Sequence, residues 1–149
     1  MTAVPQPQFT KRYNVVTEEK SGGATYTPES LAHFVANQIV QFYPKLPERP
    51  LRLLDPALGE GVLIEHLLDK LYEKTPYPIH VFGFETDKNA IKRAHEHLYA
   101  RYPEITLTIY EQNFLDYTLD SFQKCDDLFA PTSDEYYDCI IANPPYVRT

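Results

Sequence analysis

The first clear rhythm along the chain is helical. In ATYTPESLAHFVANQIVQFY, Leu31, Val35, Ile39 and Phe42 recur on one face, with Thr27 placed to cap the helix and Pro28 at its first position. The helix should stop near Pro44, where the proline-rich connector PKLPERP begins. The pattern then changes. LRLLD is an unbroken apolar run of strand length, PALGEG a tight loop, and VLIEHLLDKLYEK a helix with Leu63, Leu67 and Leu71 on its buried stripe. IHVFGFE reads as a second strand, Asp87 as the cap of a helix carrying Ile91, Ala94 and Leu98, and Pro103 as that helix's end. ITLTIY alternates as a third strand, and a mixed stretch from Tyr117 to Glu135, part helix and part loop, leads to a fourth, YDCIIA.

Strands separated by helices at these intervals build βαβ units, so the expected fold class is α/β with a parallel sheet and right-handed crossovers. Residues 1–24, with Pro5, Pro7, Gly22 and Gly23, read as a flexible lead-in, and 25–149 as the folded part. Ligands of such sheets sit beyond the carboxyl ends of the strands, near the point where strand order reverses. Asp55, Glu85, Asn113 and Asn143 all fall at strand ends.

Bulk properties narrow the chemistry. The chain has 149 residues, 43% of them hydrophobic and 23% charged, which suits one soluble domain. Its net charge of −7 argues against a generic phosphate-binding surface, because non-specific nucleic-acid affinity rests on clustered Lys and Arg. The start, MTAVPQPQFTKRYN, lacks an apolar signal core, and no apolar run reaches the ~18 residues that suggest a membrane span. Cys125 and Cys139 have neither metal nor redox spacing and are assigned to packing in a reducing compartment, so the cytoplasm is the expected location. The histidines form no convincing ligand set, and no metal is expected.

Gly59 and Gly61 in DPALGEG allow a turn tight enough for backbone to approach a ligand at a helix start. The loop does not fit a phosphate: Ile64 stands where a dinucleotide fingerprint wants a small residue, and no P-loop lysine follows. Asp55 and Glu60 flanking it would instead suit a cation, such as the amino and sulfonium groups of S-adenosylmethionine, although an ordinary βα turn fits the same residues. Glu85 ends the second strand where an acidic residue receives ribose hydroxyls; the alternative is a solvated glutamate. Asn113 and Phe114 could hydrogen-bond and flank an adenine ring, or be a turn followed by a core aromatic.

The fourth strand runs into ANPPYVRT. Pro144 and Pro145 lack an N–H, so the ladder must end there in a stiff corner. The Asn143 side-chain oxygen and the Pro144 carbonyl could accept both hydrogens of a planar amine, with Tyr146 as a stacking face. Holding an exocyclic adenine amine in this way localises its lone pair toward a methyl donor, and a base in a duplex must be flipped out to reach the corner.

Taken together, DPALGEG, GFETD, NFLD, ANPPYVRT and ATYTPESLAHFV resemble motifs I, II, III, IV and X of adenine-specific DNA methyltransferases. Their order is similar to the gamma arrangement of restriction–modification enzymes. The resemblance spans about residues 22–149 and implies a partial class I methyltransferase fold, Rossmann-like with helices on both faces of the sheet. By resemblance, Thr25, Tyr26, Thr27 and Pro28 line the methionine end of S-adenosylmethionine. Asp55 and Gly59 hold its amino-acid portion, within a loop that adds Pro56, Ala57 and Gly61; Glu85, with Thr86 beside it, holds the ribose, and Asn113 and Phe114 the adenine. Asn143, Pro144, Pro145 and Tyr146 hold the target base. Two positions depart from the family pattern: Leu58 replaces a smaller or sulfur-bearing residue, and Asn113 stands where aspartate is common.

The resemblance further implies an amino-terminal fragment, the remaining strands and a target-recognition domain lying elsewhere. Double-stranded DNA is the implied substrate and a restriction endonuclease, fused or separate, a candidate partner. Methyltransferases acting on release-factor glutamine or ribosomal-RNA guanine share the Asn-Pro-Pro-Tyr corner and remain rivals, as does an inactive binding module.

Overall fold

The computed structural model describes residues 27–43, 45–124 and 136–143, the side chains of 121–124 excepted. The elements run α1 (Glu29–Phe42), β1 (Leu51–Asp55), α2 (Val62–Leu71), β2 (Ile79–Glu85), α3 (Lys88–Arg101), β3 (Thr106–Glu111), α4 (Phe114–Lys124) and β4 (Cys139–Ile140). All pairings are parallel, in the order β3-β2-β1-β4, so the sheet is the expected α/β arrangement and its order reverses between β1 and β4.

Alternation places Leu51 and Leu53 of β1, Ile79 and Val81 of β2, and Leu107 of β3 on one face. There they join Ala36 and Val40 of α1, Leu63 and Leu67 of α2, and Ala94 and Leu98 of α3 in one buried cluster. On the opposite face Phe84 stacks on Tyr110 at 4.7 Å, and α4 sets Phe114 and Tyr117 against it at 5.1 and 5.0 Å. Helices therefore cover both faces, as a largely parallel sheet requires.

Several elements differ from their sequence expectation. Helix α1 starts at Glu29, because Pro28 has an extended ψ of 138° and serves as the N-cap, with no side chain capping the helix. The carbonyl of Pro28 accepts from the Leu31 and Ala32 amides at 3.0 Å each. The buried stripe of α1 is Ala32, Ala36 and Val40, flanked by Val35 and Ile39, whereas Leu31 and Phe42 are exposed. Small residues let α1 lie close to α2, so steric fit rather than the largest apolar side chains decides which face turns inward. Helix α2 ends at Leu71, where the Lys74 and Thr75 amides both turn back to the Leu71 carbonyl. Helix α4 begins at Phe114, ahead of the expected mixed stretch, because Asn113 Oδ1 accepts from the Leu115 amide at 2.8 Å and nucleates the turn. Strand β4 is short, yet Asp138 and Ile141 still donate to the Arg52 and Leu54 carbonyls at 2.8 and 2.9 Å on either side of it.

Candidate active site at the reversal of strand order

Asp55 closes β1 with 1% of its surface exposed. One carboxylate oxygen, Oδ1, accepts from the Ala57 amide at 2.9 Å, while Oδ2 is buried with no hydrogen-bond partner among the described residues. Burial pushes the Asp55 pKa up to about 7; the Ala57 hydrogen bond opposes the rise and the charge of Glu85 adds to it. An unpartnered buried carboxylate oxygen normally carries a penalty, so its retention at a strand end marks a place where a cation or donor would be stabilised.

The loop after Asp55 is built to stay open. Gly59 has a φ of 55°, and a side-chain carbon built there would meet no described atom within 4 Å. Pro56 and Ala57 form the turn between Asp55 and Leu58, and Gly61 caps α2. Glu85 fastens this loop to the end of β2: its Oε2 accepts from the Gly59 amide at 2.9 Å, and its Oε1 from the Thr86 and Asp87 amides at 2.7 and 2.8 Å. Of a carboxylate's roughly four lone-pair positions, three are thus engaged by backbone. Glu85, expected to receive ribose hydroxyls or to be solvated, is held by backbone as a clamp between two loops.

Glu60, expected to flank a cation together with Asp55, already has a cationic partner in the fold. Its Oε1 accepts from Arg93 Nε at 2.9 Å, so its charge is matched by α3 and Asp55 is left as the uncompensated carboxylate of the loop. Leu58, the departure within motif I, is accommodated by Gly83: a side-chain carbon on Gly83 would lie 2.6 Å from Leu58 Cδ2. The Leu58 amide also donates to the Phe84 carbonyl at 2.9 Å. A glycine inside a strand pattern signals such close approach and could have revealed this pairing. Asn113 is exposed with its oxygen capping α4, and Phe114 sits edge-on to Phe84.

Asn143 follows β4 on the other side of the reversal and is half-buried. Its Nδ2 donates to Thr27 Oγ1 at 3.1 Å across 116 residues of sequence. Thr27, expected to cap α1, is therefore engaged with Asn143, a link that no local pattern in the sequence announces. Asp55, Glu85, Thr86 and the glycine loop are brought together at the ends of β1 and β2, and Asn143 with Thr27 at the end of β4. Thr25, Tyr26, Pro144, Pro145 and Tyr146 lie outside the described residues, as do the lead-in 1–24 and Cys125. Cys139 packs against the core, and burial pushes its thiol up to about 11, so it is no nucleophile at neutral pH.

A parallel sheet reversing between its first and fourth strands, with an acidic strand end and an open glycine turn at the reversal, is a doubly wound α/β arrangement, and it matches solved class I methyltransferase structures. A Listeria monocytogenes protein described as a class I S-adenosylmethionine-dependent methyltransferase matches it with a TM-score of 0.60 over 83% of this chain and 32% of its own, at 21% identity. A Staphylococcus aureus protein described as a caffeoyl-CoA O-methyltransferase matches with a TM-score of 0.50 over 80% of this chain and 46% of its own, at 17% identity. The chain belongs to the N-6 DNA methylase family, whose pattern covers residues 8–149. It is 32% identical over 146 residues to the type II methyltransferase M.BanIII of Aneurinibacillus aneurinilyticus, a match covering 91% of this chain and 24% of that protein. The chain thus spans about a quarter of the curated relative it matches. Among the described residues no helix is long and apolar enough to cross a membrane.

Proposed function

We propose that this chain is the cofactor-binding part of a longer DNA methyltransferase that methylates the N6 amine of a flipped adenine, within a restriction–modification system of the cytoplasm. The observation that carries the reading is the placement of Asn143 at the end of β4, next to the strand whose end holds the unpartnered Asp55 oxygen.

The residues present suit the S-adenosylmethionine that the family implies. Asp55 Oδ2 is a buried acceptor in need of a donor, Gly59 of the same loop opens onto empty space, and the described loop residues 55–61 include no Lys or Arg to call for a phosphate. When bound, that cofactor supplies an electrophilic methyl group on a cationic sulfur. Asp55 would take a charge-assisted hydrogen bond from its ammonium group. Glu85, already fixing Gly59, would give its remaining lone-pair position to a ribose hydroxyl, with Thr86 beside it. Phe114 would bound the adenine of the cofactor; Asn113 would reach it through its amide nitrogen, since its oxygen caps α4. By family resemblance Thr25, Tyr26, Thr27 and Pro28 complete the methionine end.

Asn143 Oδ1 and the Pro144 carbonyl would accept the two amine hydrogens, Pro145 keeping the corner stiff and Tyr146 stacking on the base. Holding both hydrogens makes the nitrogen lone pair available to the methyl carbon. The nitrogen would take the methyl group that the bound cofactor supplies, the sulfur leaving as a neutral thioether, and one of the two amine protons held by Asn143 Oδ1 and the Pro144 carbonyl would pass to solvent. The acidic chain would obtain its DNA affinity from basic surface elsewhere in the whole protein. A nuclease, fused or separate, would cut the same site when unmethylated.

The test uses the whole protein carrying this chain. Asn143→Ala should reduce N6-methyladenine formation on unmodified duplex DNA by about 10²-fold or more, read by mass spectrometry of the nucleosides, with cofactor affinity by calorimetry unchanged. Near-parent turnover in that variant, or methyl appearing on protein glutamine or RNA guanine instead, would overturn the reading.

A further inference from the structure

We propose that the Thr27 hydroxyl positions the Asn143 carboxamide for its work as an acceptor; the inference rests on the role given above to Asn143. A carboxamide has two opposite edges. If the Nδ2 edge faced a substrate amine, donor would meet donor and no hydrogen bond could form. In this structure Nδ2 donates to Thr27 Oγ1 at 3.1 Å, so that edge is occupied and Oδ1 is left to accept.

Both partners stand on stiff supports. Thr27 precedes Pro28, which restricts it to extended backbone, and Pro28 is the N-cap of α1, whose Ala32 and Ala36 are fully buried. Asn143 lies two residues beyond Ile141, which is 3% exposed and whose amide donates to the Leu54 carbonyl at 2.9 Å. An anchor on the first helix therefore meets an acceptor on the last strand, and the amide is oriented before any substrate arrives. A threonine that merely capped α1 or walled the cofactor would have no need to direct its hydroxyl at Asn143.

The experiment uses the whole protein, with labelled S-adenosylmethionine and unmodified duplex DNA under single-turnover conditions. Thr27→Val keeps the shape and removes the hydroxyl; it should slow transfer by about 10- to 100-fold at saturating cofactor, while the cofactor Kd stays within about twofold. Thr27→Ser keeps the hydroxyl and should stay within about threefold of the parent on both measures. Thr27→Ala replaces the valine variant should that one fail to fold. Parent-like transfer by the valine variant would overturn the proposal. So would a weakened Kd with an unchanged saturated rate, which would make Thr27 a cofactor wall, or a serine variant as slow as valine, which would make it packing. If the parent delivers methyl to an acceptor other than adenine, the function proposed above falls, and the valine–serine contrast is read on that acceptor.

Discussion

Two aspartates at opposite ends of neighbouring parallel strands, Asp55 buried and Asp138 half-buried, have opposite environments. Asp138, just ahead of β4, has a side chain 6% exposed, and it accepts from Arg49 Nη1 and Nη2 at 3.0 and 2.7 Å and from the Arg52 amide at 2.9 Å. Burial alone would raise its pKa, but the Arg49 hydrogen bond, the Arg52 amide and the charges of both arginines together hold it below the usual carboxylate range. Arg52 is in turn held over the Phe82 ring at 4.7 Å. Asp55, at the far end of β1, has one amide for one oxygen and nothing described for the other. At the amino ends the Asp138 carboxylate is finished, with a donor for each oxygen; at the carboxyl ends the Asp55 carboxylate is unfinished, one oxygen being buried without a partner among the described residues. The two carboxylates differ in depth, but what separates them chemically is satisfaction: Asp138 has a donor for each oxygen and Asp55 for one only.

The sharpest way to break this contrast is at the finished end. Asp138→Ala removes three hydrogen bonds and leaves the Arg52 amide without its acceptor. Because Arg49 is 41% exposed and can be rehydrated, the expected loss is about 2–3 kcal/mol of unfolding free energy, measured by urea denaturation at pH 7. The Asp138 pKa is lowered on folding, so its contribution is present above the unfolded carboxylate's range and lost as pH falls through the folded value. The gap between parent and variant should therefore close in acid. An unchanged midpoint at pH 7 would place Asp138 among surface pairs of little consequence.

The opposite sign is expected at the unfinished end. Folding raises the Asp55 pKa from 3.8 to about 7, so the folded chain keeps a proton there that the unfolded chain releases. Stability consequently falls as pH rises across that window, and the loss is complete above it. Asp55→Asn keeps an acceptor for the Ala57 amide without the buried charge, and should stabilise the chain by about 1–3 kcal/mol at pH 8, with the advantage shrinking toward pH 4. Parallel urea titrations at the two pH values test this. A variant less stable than the parent at pH 8 would show that Asp55 has a partner in the fold and would erase the comparison.

Much of this architecture was legible from the chain because it is local. Strands β1 to β3 and helix α3 follow from short apolar runs and one capping aspartate, and Asp87 does accept from the Asn89 amide at 2.8 Å. The placement of Asp55, Glu85 and Asn143 at strand ends follows from the same periodicity. What periodicity could not give was set by contacts between distant segments. Packing of α1 on α2 selected Ala32 and Ala36 over Leu31 and Phe42, and Thr27 turned to Asn143 rather than to its own helix. Glu60 met Arg93, and Glu85 was taken up by backbone amides, because both lie where two loops converge. Charge and spacing identify candidate groups; only the fold decides which of them already have partners.

The smallest expected effect is also the one that ties the comparison to a ligand. If Asp55 meets the ammonium of S-adenosylmethionine, that cation stabilises the carboxylate and draws its pKa below about 7, so binding near neutrality releases a proton. Affinity should then rise with pH while Asp55 is still protonated in the free protein, by at most about tenfold, or ~1.4 kcal/mol, per pH unit, and level off above neutrality. Asp138 contributes nothing to that slope, being ionised throughout the range, so Asp138→Asn should leave it intact while Asp55→Asn flattens it. Calorimetry of the whole protein at pH 6, 7 and 8, in two buffers of different ionisation enthalpy, reads both the slope and the proton count. A slope that persists in Asp55→Asn would move the titrating group elsewhere and leave the unpartnered oxygen of Asp55 without its cation.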